Sequence, residues 1–403
     1  MTLLKKPLLF IYLVLTVLTF QAATPHEALG RFLSTNGIQG NSVAVKIIDL
    51  KNGSIIIDHN SNSPLVPASI MKSVTTAALL GNAGPDWKYH TRIYIDGPND
   101  LGYIRGNLII EGACDPTVNS EKQPFSPDLI EEICNSLTSR LITRIEGNII
   151  IDQTAFEGES RPASWTPADR KKYYGTGSHG FNYNDNVSGD FSVDNPSLKF
   201  LGALKKELAS RGIELEGKDM IEGKRIQIHD HLSASLDEIM RSCMMRSDNM
   251  FAEAMLRTYG KLEGGDGSTV DSAEREMLLW KKKKLPLEGV VIVDGSGLSR
   301  DNRVTADFMG ALLSKMSIDP YYASFFPLAG KEGTLRKFLT DTPLDSYIAM
   351  KTGSMTGIQC YAGYKLDDDY VPTHVVVIIM NDIPAKRENV VKAAEQLLLE
   401  VFE

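Results

Sequence analysis

Residues 42–50, Ser-Val-Ala-Val-Lys-Ile-Ile-Asp-Leu, are almost continuously apolar and rich in β-branched side chains, and residues 54–58 repeat that character after Lys51-Asn52-Gly53. Asn-Gly accepts the positive φ angles of a tight turn, so this segment is predicted to be a hairpin, preceded by a short helix over 27–34. Residues 69–80 are rich in Ala and Leu, which predicts a buried helix ending by Gly81 or Gly84. Between about residues 86 and 228 the texture changes to short strands over 91–95, 107–110 and 147–152, with helices near 127–139 and 197–210. From Ser235 onward helices return: Ser235 and Glu238 have the spacing of a capping box, an apolar stripe covers 236–245, and a second helix runs from about Asp248 to Gly260. The chain then alternates apolar and polar over 347–351 and 359–364 and is continuously apolar over 374–380, as strands of an antiparallel sheet are, before a closing helix over 385–400.

The expected fold class is therefore α+β. The first hairpin and the C-terminal strands are each too small to stand alone, so residues 24–85 and 236–403 are expected to form one discontinuous domain, with 86–235 inserted as a separate α+β region.

The N-terminus changes the picture of where this fold works. Lys5 and Lys6 precede an apolar run over 7–20 and then Gln21-Ala22-Ala23, the order of a secretory signal peptide over residues 1–23, with cleavage near Ala22 or Ala23. Phe20 and Gln21 fit the positions before a cleavage site poorly, which leaves an uncleaved anchor as the alternative; the run is shorter than the ~20 residues of a comfortable membrane span. The mature protein is expected outside the cytoplasm, in the periplasm, with no stable span. The 43 basic and 51 acidic residues of the full sequence provide no basic field, which argues against nucleic-acid partners. Lys281 to Lys284 reads as the solvated C-terminal end of a helix, where cations are favourable. Cys114, Cys134, Cys243 and Cys360 lack the close spacing of a zinc or redox centre; an oxidising compartment leaves a Cys114–Cys134 pair and four free thiols as alternatives. His229-Asp230-His231 has no third ligand nearby in sequence, so no metal or other cofactor is expected.

Three short patterns carry candidate chemistry. In Ser69-Ile70-Met71-Lys72, positions three apart on a helix share a face, so the Lys72 amine can reach the Ser69 hydroxyl. A serine becomes a useful nucleophile once a base takes its proton, and a lysine serves as that base when its pKa is depressed. Alone the pattern is equally an N-cap serine beside an exposed lysine. Ser247-Asp248-Asn249 falls on the turn between two helices, which suits a cleft and equally suits a helix cap. Lys351-Thr352-Gly353-Ser354 lies in a predicted strand whose glycine lets another backbone approach.

Together, in this order on helix, loop and strand, the three are far more specific than any one, and the set is that of β-lactamases and penicillin-binding proteins. The chain resembles the class C low-molecular-mass penicillin-binding proteins, the D-alanyl-D-alanine carboxypeptidase/endopeptidase family of serine penicillin-recognising enzymes. The long stretch between Lys72 and Ser247, the run Asp294-Gly295-Ser296-Gly297-Leu298-Ser299-Arg300, and the extension of the second pattern through Glu253 carry that finer resemblance. It implies a β-lactamase/transpeptidase-like domain acting on peptidoglycan stem peptides, with β-lactam antibiotics as inhibitors. By the same resemblance Ser69 attacks the penultimate D-alanine carbonyl and Lys72 takes its proton. Ser247 with Lys351 protonates the departing amine, and Asn249 holds the substrate backbone. Lys351 and Thr352 receive the terminal carboxylate beside Gly353, and the backbone N–H groups of Ser69 and Ser354 receive the oxyanion. Mutual repulsion between Lys72 and Lys351 is expected to keep Lys72 neutral. The segments Trp165 to Asp169 and Tyr173 to Gly175 loosely resemble a part of relatives that reaches the active site, which suggests a supporting role for Asp169. The alternatives are a β-lactamase, against which no Glu-x-x-Leu-Asn stretch supplies a deacylating glutamate, and an inactive wall-binding or regulatory protein, against which every motif side chain is present.

Overall fold

A computed structural model describes residues 23–123, 126–220, 223–384 and 387–403. The predicted export signal lies outside the described residues except for Ala23. Among them no helix is long and apolar enough to cross a membrane.

The apolar runs at the two ends of the chain meet in one sheet. Its strands lie in the order Ile348–Met355, Ile358–Leu366, Pro372–Met380, Val43–Asp49 and Ile55–His59, each neighbour antiparallel. Val43–Asp49 pairs with Pro372–Met380, Val45 opposite Ile378, so the N-terminal hairpin extends the C-terminal sheet. Continuity of the apolar run, rather than alternation, marks strands covered on both faces. Val43, Val45, Ile47, Val376 and Ile378 pack with Ala28 and Phe32 of the helix Pro25–Leu33 and with Val390 and Leu397 of Glu388–Phe402. Their alternates Ala44, Val375, Val377 and Ile379 face the helices Met71–Ala83, Leu236–Arg246, Asn249–Leu262 and Ala306–Met316. Burying each valine or isoleucine contributes roughly 1.5–3 kcal/mol. Met71–Ala83 is buried at every residue from Met71 to Leu80, polar Lys72, Ser73, Thr75 and Thr76 included, so it runs through the core.

Residues between these segments build a third core. Strands Ile226–Leu232, His90–Ile95, Leu108–Glu111 and Ile149–Asp152 form a sheet in that order, the last two parallel. Helices Leu129–Ser139 and Pro196–Ser210 cover it through Ile133, Leu137, Phe200 and Leu204. Trp87 and Tyr89 still pack into the core around Met71–Ala83, and the change of core comes at the strand His90–Ile95.

One sequence alternative is resolved here. All four cysteines are free and buried; Cys114 Sγ sits 3.2 Å from Ser178 Oγ and Cys134 belongs to the third core. Burial pushes the thiols up, to about 11 for Cys134 and about 12 for Cys243 and Cys360. His229 to His231 lies within the strand Ile226–Leu232, and His229 and His231 both bond Glu132 Oε2, at 2.9 and 2.7 Å. Among the described residues no group suits a metal ion.

Candidate active site

Ser69 stands on a turn that the chain enters under strain. Ala68 has φ of 47°, Ala68–Ile70 is a single 3-10 turn, and the α-helix starts only at Met71. A non-glycine residue in the left-handed region costs roughly 1–2 kcal/mol. The turn leaves Ser69 partly open while Lys72, one turn on, is fully buried. Lys72 Nζ lies 3.0 Å from Ser69 Oγ, 2.6 Å from Asn249 Oδ1 and 2.7 Å from the Ser296 carbonyl. Two of these partners are acceptors only and the third is a hydroxyl, so the set fits the neutral amine, with two N–H donors and a lone pair facing the Ser69 hydroxyl, as well as the three-donor ammonium.

The glycine-rich run explains the third acceptor. Asp294 gathers the run around itself, accepting from the N–H groups of Gly297 at 2.8 Å and Ser299 at 2.7 Å and from Asn302 Nδ2 at 2.7 Å. Ser296 N–H donates to Glu253 Oε1 at 2.9 Å, which turns the Ser296 carbonyl toward Lys72. Gly297 has φ of 78°, and a Cβ there would collide with the Ala68 carbonyl. The run is the wall against which the turn bearing Ser69 is folded.

Ser247 closes the helix Leu236–Arg246 in the left-handed conformation, φ 58° and ψ 44°. The helix itself begins as the sequence predicts, with Glu238 reaching back to the Ser235 N–H at 3.1 Å. Asp248 caps the next helix through Phe251 N–H at 3.0 Å, while its neighbours Ser247 and Asn249 turn toward Lys351 and Lys72. Ser247 Oγ accepts from Lys351 Nζ at 2.9 Å, and Lys351 also donates to the Thr352 carbonyl at 2.9 Å. Lys351, Thr352, Gly353 and Ser354 lie on the outermost strand. Along Lys351–Met355 that strand has Ile358–Leu366 as its partner on one side. A Cβ on Gly353 would stand 2.5 Å from the Pro67 carbonyl, so glycine lets this strand close on the turn that bears Ser69. Thr352 Oγ1 bonds Thr334 Oγ1 at 2.8 Å, and Ser354 is exposed at the mouth.

Burial depresses both lysines. It is the main cause at Lys72, where Cys243, Asp248, Asp294 and Glu253 pull the other way, and at Lys351, where the Lys72 charge deepens the effect. Desolvation is therefore what disfavours the charged form of Lys72, with lysine–lysine repulsion expressed at Lys351. Glu253 is itself pushed up to about 8, by burial and then by Asp294.

Among the described residues, the stretch that builds the third core reaches this site at three points. Trp165 is buried and its indole N–H bonds Asp294 Oδ2 at 2.8 Å. The Tyr174 carbonyl accepts from Asn249 Nδ2 at 2.9 Å. Asp169 stays near the surface, receiving Tyr174 Oη at 2.9 Å and Thr166 Oγ1 at 2.6 Å, so it touches the two segments that reach the site, beside Trp165 and at Tyr174. The third point is Lys122, whose Nζ meets Asp248 Oδ2. Sequence reading singles out neither Lys122 nor the Ser296 carbonyl; the glycine-rich string is the one signal for the latter.

The chain matches the model of the D-Ala-D-Ala carboxypeptidase 3 (S13) family over residues 26–189 and 182–400. It is 23% identical to the D-alanyl-D-alanine carboxypeptidase of Actinomadura sp. strain R39, across 84% of this chain and 78% of that protein. It is 22% identical to the D-alanyl-D-alanine carboxypeptidase DacB of Haemophilus influenzae, across 81% of this chain and 82% of that one. The structure superposes on penicillin-binding protein 4 (dacB) of Haemophilus influenzae with a TM-score of 0.80 at 19% identity, over 94% of this chain and 99% of the other. A predatory endopeptidase of Bdellovibrio bacteriovorus shares the fold at a TM-score of 0.55 and 19% identity, over 88% and 91%. With the match running through nearly all of the described chain, the protein belongs to the D-Ala-D-Ala carboxypeptidase 3 (S13) family of peptidases.

Proposed function

We propose that this enzyme cleaves D-Ala-D-Ala-type bonds of peptidoglycan stem peptides through an acyl-enzyme on Ser69, acting as a carboxypeptidase, an endopeptidase or both. The single observation that carries the reading is the pair of fully buried lysines, each within hydrogen-bond reach of a serine hydroxyl: Lys72 on Ser69 and Lys351 on Ser247.

Neutral Lys72 takes the Ser69 proton as Oγ adds to the penultimate D-alanine carbonyl. The oxyanion is met by the backbone N–H groups of Ser69 and Ser354, a contribution often worth about 3 kcal/mol per donor. The C–N bond then breaks, and the departing amine receives a proton through Ser247 and Lys351. Water hydrolyses the ester and restores Ser69. Among the described residues no strand pairs with the other side of Lys351–Met355, which suits an extended peptide added as a further strand, with Asn249 on the facing wall and Lys351 and Thr352 toward the terminal carboxylate. A β-lactam carries a carboxylate and an acylating carbonyl in a similar disposition and acylates the same serine. A relative's crystal structure, penicillin-binding protein 4 of Haemophilus influenzae, holds a β-lactam.

In this reading residues 24–85 and 236–403 make the catalytic domain, 86–235 the insertion that walls one side of its cleft, and residues 1–23 a signal peptide that delivers the enzyme to the periplasm. Hydrolysis of a D-Ala-D-Ala-terminated peptide and of benzylpenicillin, measured side by side, tests the proposal. Turnover of the peptide with slow turnover of the penicillin is expected. Rapid penicillin hydrolysis without peptide cleavage would make the protein a β-lactamase, and neither activity would make it an inactive wall protein.

A further inference from the structure

Ser247 and Asn249 are held on a turn whose middle residue, Asp248, is anchored from outside the catalytic core. The left-handed Ser247 is fixed on one side by the helix it ends, with Asp248 N–H returning to the Cys243 carbonyl at 3.0 Å. On the other side Asp248 Oδ1 caps the following helix. Its second oxygen faces Lys122 Nζ, supplied by the insertion, and the Asp248 side chain is only 11% exposed. A carboxylate so buried needs a partner for each oxygen. Lys122 also stands 3.5 Å from Asp185 Oδ1, which accepts from Ser120 Oγ at 2.6 Å, and its ammonium lies 5.8 Å from the centre of the Phe251 ring. One cation thus ties two acids and the first turn of the helix that carries Asn249.

We infer that Lys122 is a positioning residue of the catalytic site: by clamping Asp248 it holds Ser247 and Asn249 in register with Lys351 and Lys72, and it offsets the field of Asp248 at Lys72. The inference rests on the acyl-enzyme reading above. The groups facing Lys72 are Cys243 from the preceding helix, Asp248 and Glu253 from the following one, Asp294 from the glycine-rich run and Lys351 from the strand. Asp248 favours the charged form of Lys72. At Lys122, burial works against its charge and the carboxylates of Asp248 and Asp185 outweigh it, so the cation persists through the pH range of catalysis. Loss of that cation leaves Asp248 to act on Lys72 with less opposition, which raises the pH at which Lys72 becomes a base.

The experiment measures the second-order rate of acylation by a fluorescent penicillin against pH, with thermal midpoints, for the full-length protein and its Lys122→Met, Lys122→Gln and Lys122→Arg variants. Lys122→Met and the neutral but hydrogen-bonding Lys122→Gln should acylate about ten- to a hundredfold more slowly at pH 7, the scale of a small misplacement, with the acid limb of the profile moved to higher pH. Lys122→Arg should stay within about threefold of the original rate with the limb restored. If Lys122→Met does not fold, the limb of Lys122→Gln decides. Wild-type rates and an unmoved limb in the neutral variants overturn the inference, as does a loss that follows a lowered thermal midpoint with the limb in place. Failure of the unaltered protein to be acylated at all would instead overturn the reading of Ser69.

Discussion

Lys72 Nζ and Asn249 Oδ1 lie 2.6 Å apart, a contact between the first and second motifs that joins the candidate base to the candidate backbone-holding residue. The amide is neutral, so it satisfies a donor of Lys72 without adding charge. Asn249→Asp would place a carboxylate at that distance and favour the ammonium. The pH at which acylation reaches half its plateau should rise by a unit or more, and the rate at pH 7 should fall about tenfold or beyond. A profile that keeps its midpoint would show that Lys72 does not titrate in the rate-limiting step.

The two lysines should respond differently to arginine. Guanidinium cannot act as a base near neutral pH, so Lys72→Arg should lose acylation by at least about a thousandfold, whereas Lys351→Arg keeps a cation toward the substrate carboxylate and should keep part of its capture. Rates of penicillin acylation compare them. Similar losses in both would remove the distinction between base and anchor.

Gly353→Ala probes the approach of the strand to the nucleophile turn. A methyl group 2.5 Å from the Pro67 carbonyl forces backbone apart, since neither neighbour is a flexible side-chain end. Acylation should fall about ten- to a hundredfold. Stability should fall by about 1–3 kcal/mol, the cost of overpacking. Denaturant titration and labelling rates separate the two effects, and a variant with unchanged labelling would contradict the close-approach role of this glycine.

Away from the site, Glu276 is fully buried and neither carboxyl oxygen has a hydrogen bond among the described residues. Burial pushes it up to about 8; the neighbouring Trp280 N–H opposes this without reaching bonding geometry. A folded-state pKa above the unfolded one makes stability fall as pH rises from about 4.5 through about 8. Each tenfold difference in proton affinity is worth about 1.4 kcal/mol. Glu276→Gln should therefore gain stability relative to the parent protein between pH 5 and pH 9. Thermal midpoints across that range check it; a constant difference would mean that Glu276 is already charged at pH 5.

The fold is legible in the sequence wherever local pattern and tertiary need agree. The apolar runs at 42–50 and 374–380 name their own strands, Asn52-Gly53 its turn, and Ser235 with Glu238 its cap. The helix drawn from Ser69 begins in fact at Met71, because a strained Ala68 turn costs local preference and is held by Gly297, far away in the chain. The three motifs are readable as side chains with chemistry. Contacts made by backbone are not: the carbonyls of Ser296 and Tyr174 act through position alone, and any residue type carries one. Lys122 is equally silent, since an exposed-looking lysine becomes a clamp only once Asp185 and Asp248 are brought beside it.

The central claim is that Ser69 carries the acyl group, and the most direct test is the site of penicillin attachment. The protein is reacted with benzylpenicillin, digested, and the adduct located by peptide mass spectrometry, in parallel with Ser69→Ala. The account predicts one stoichiometric adduct on the peptide containing Ser69 and none in Ser69→Ala. An adduct on another residue, or labelling that survives Ser69→Ala, would contradict it.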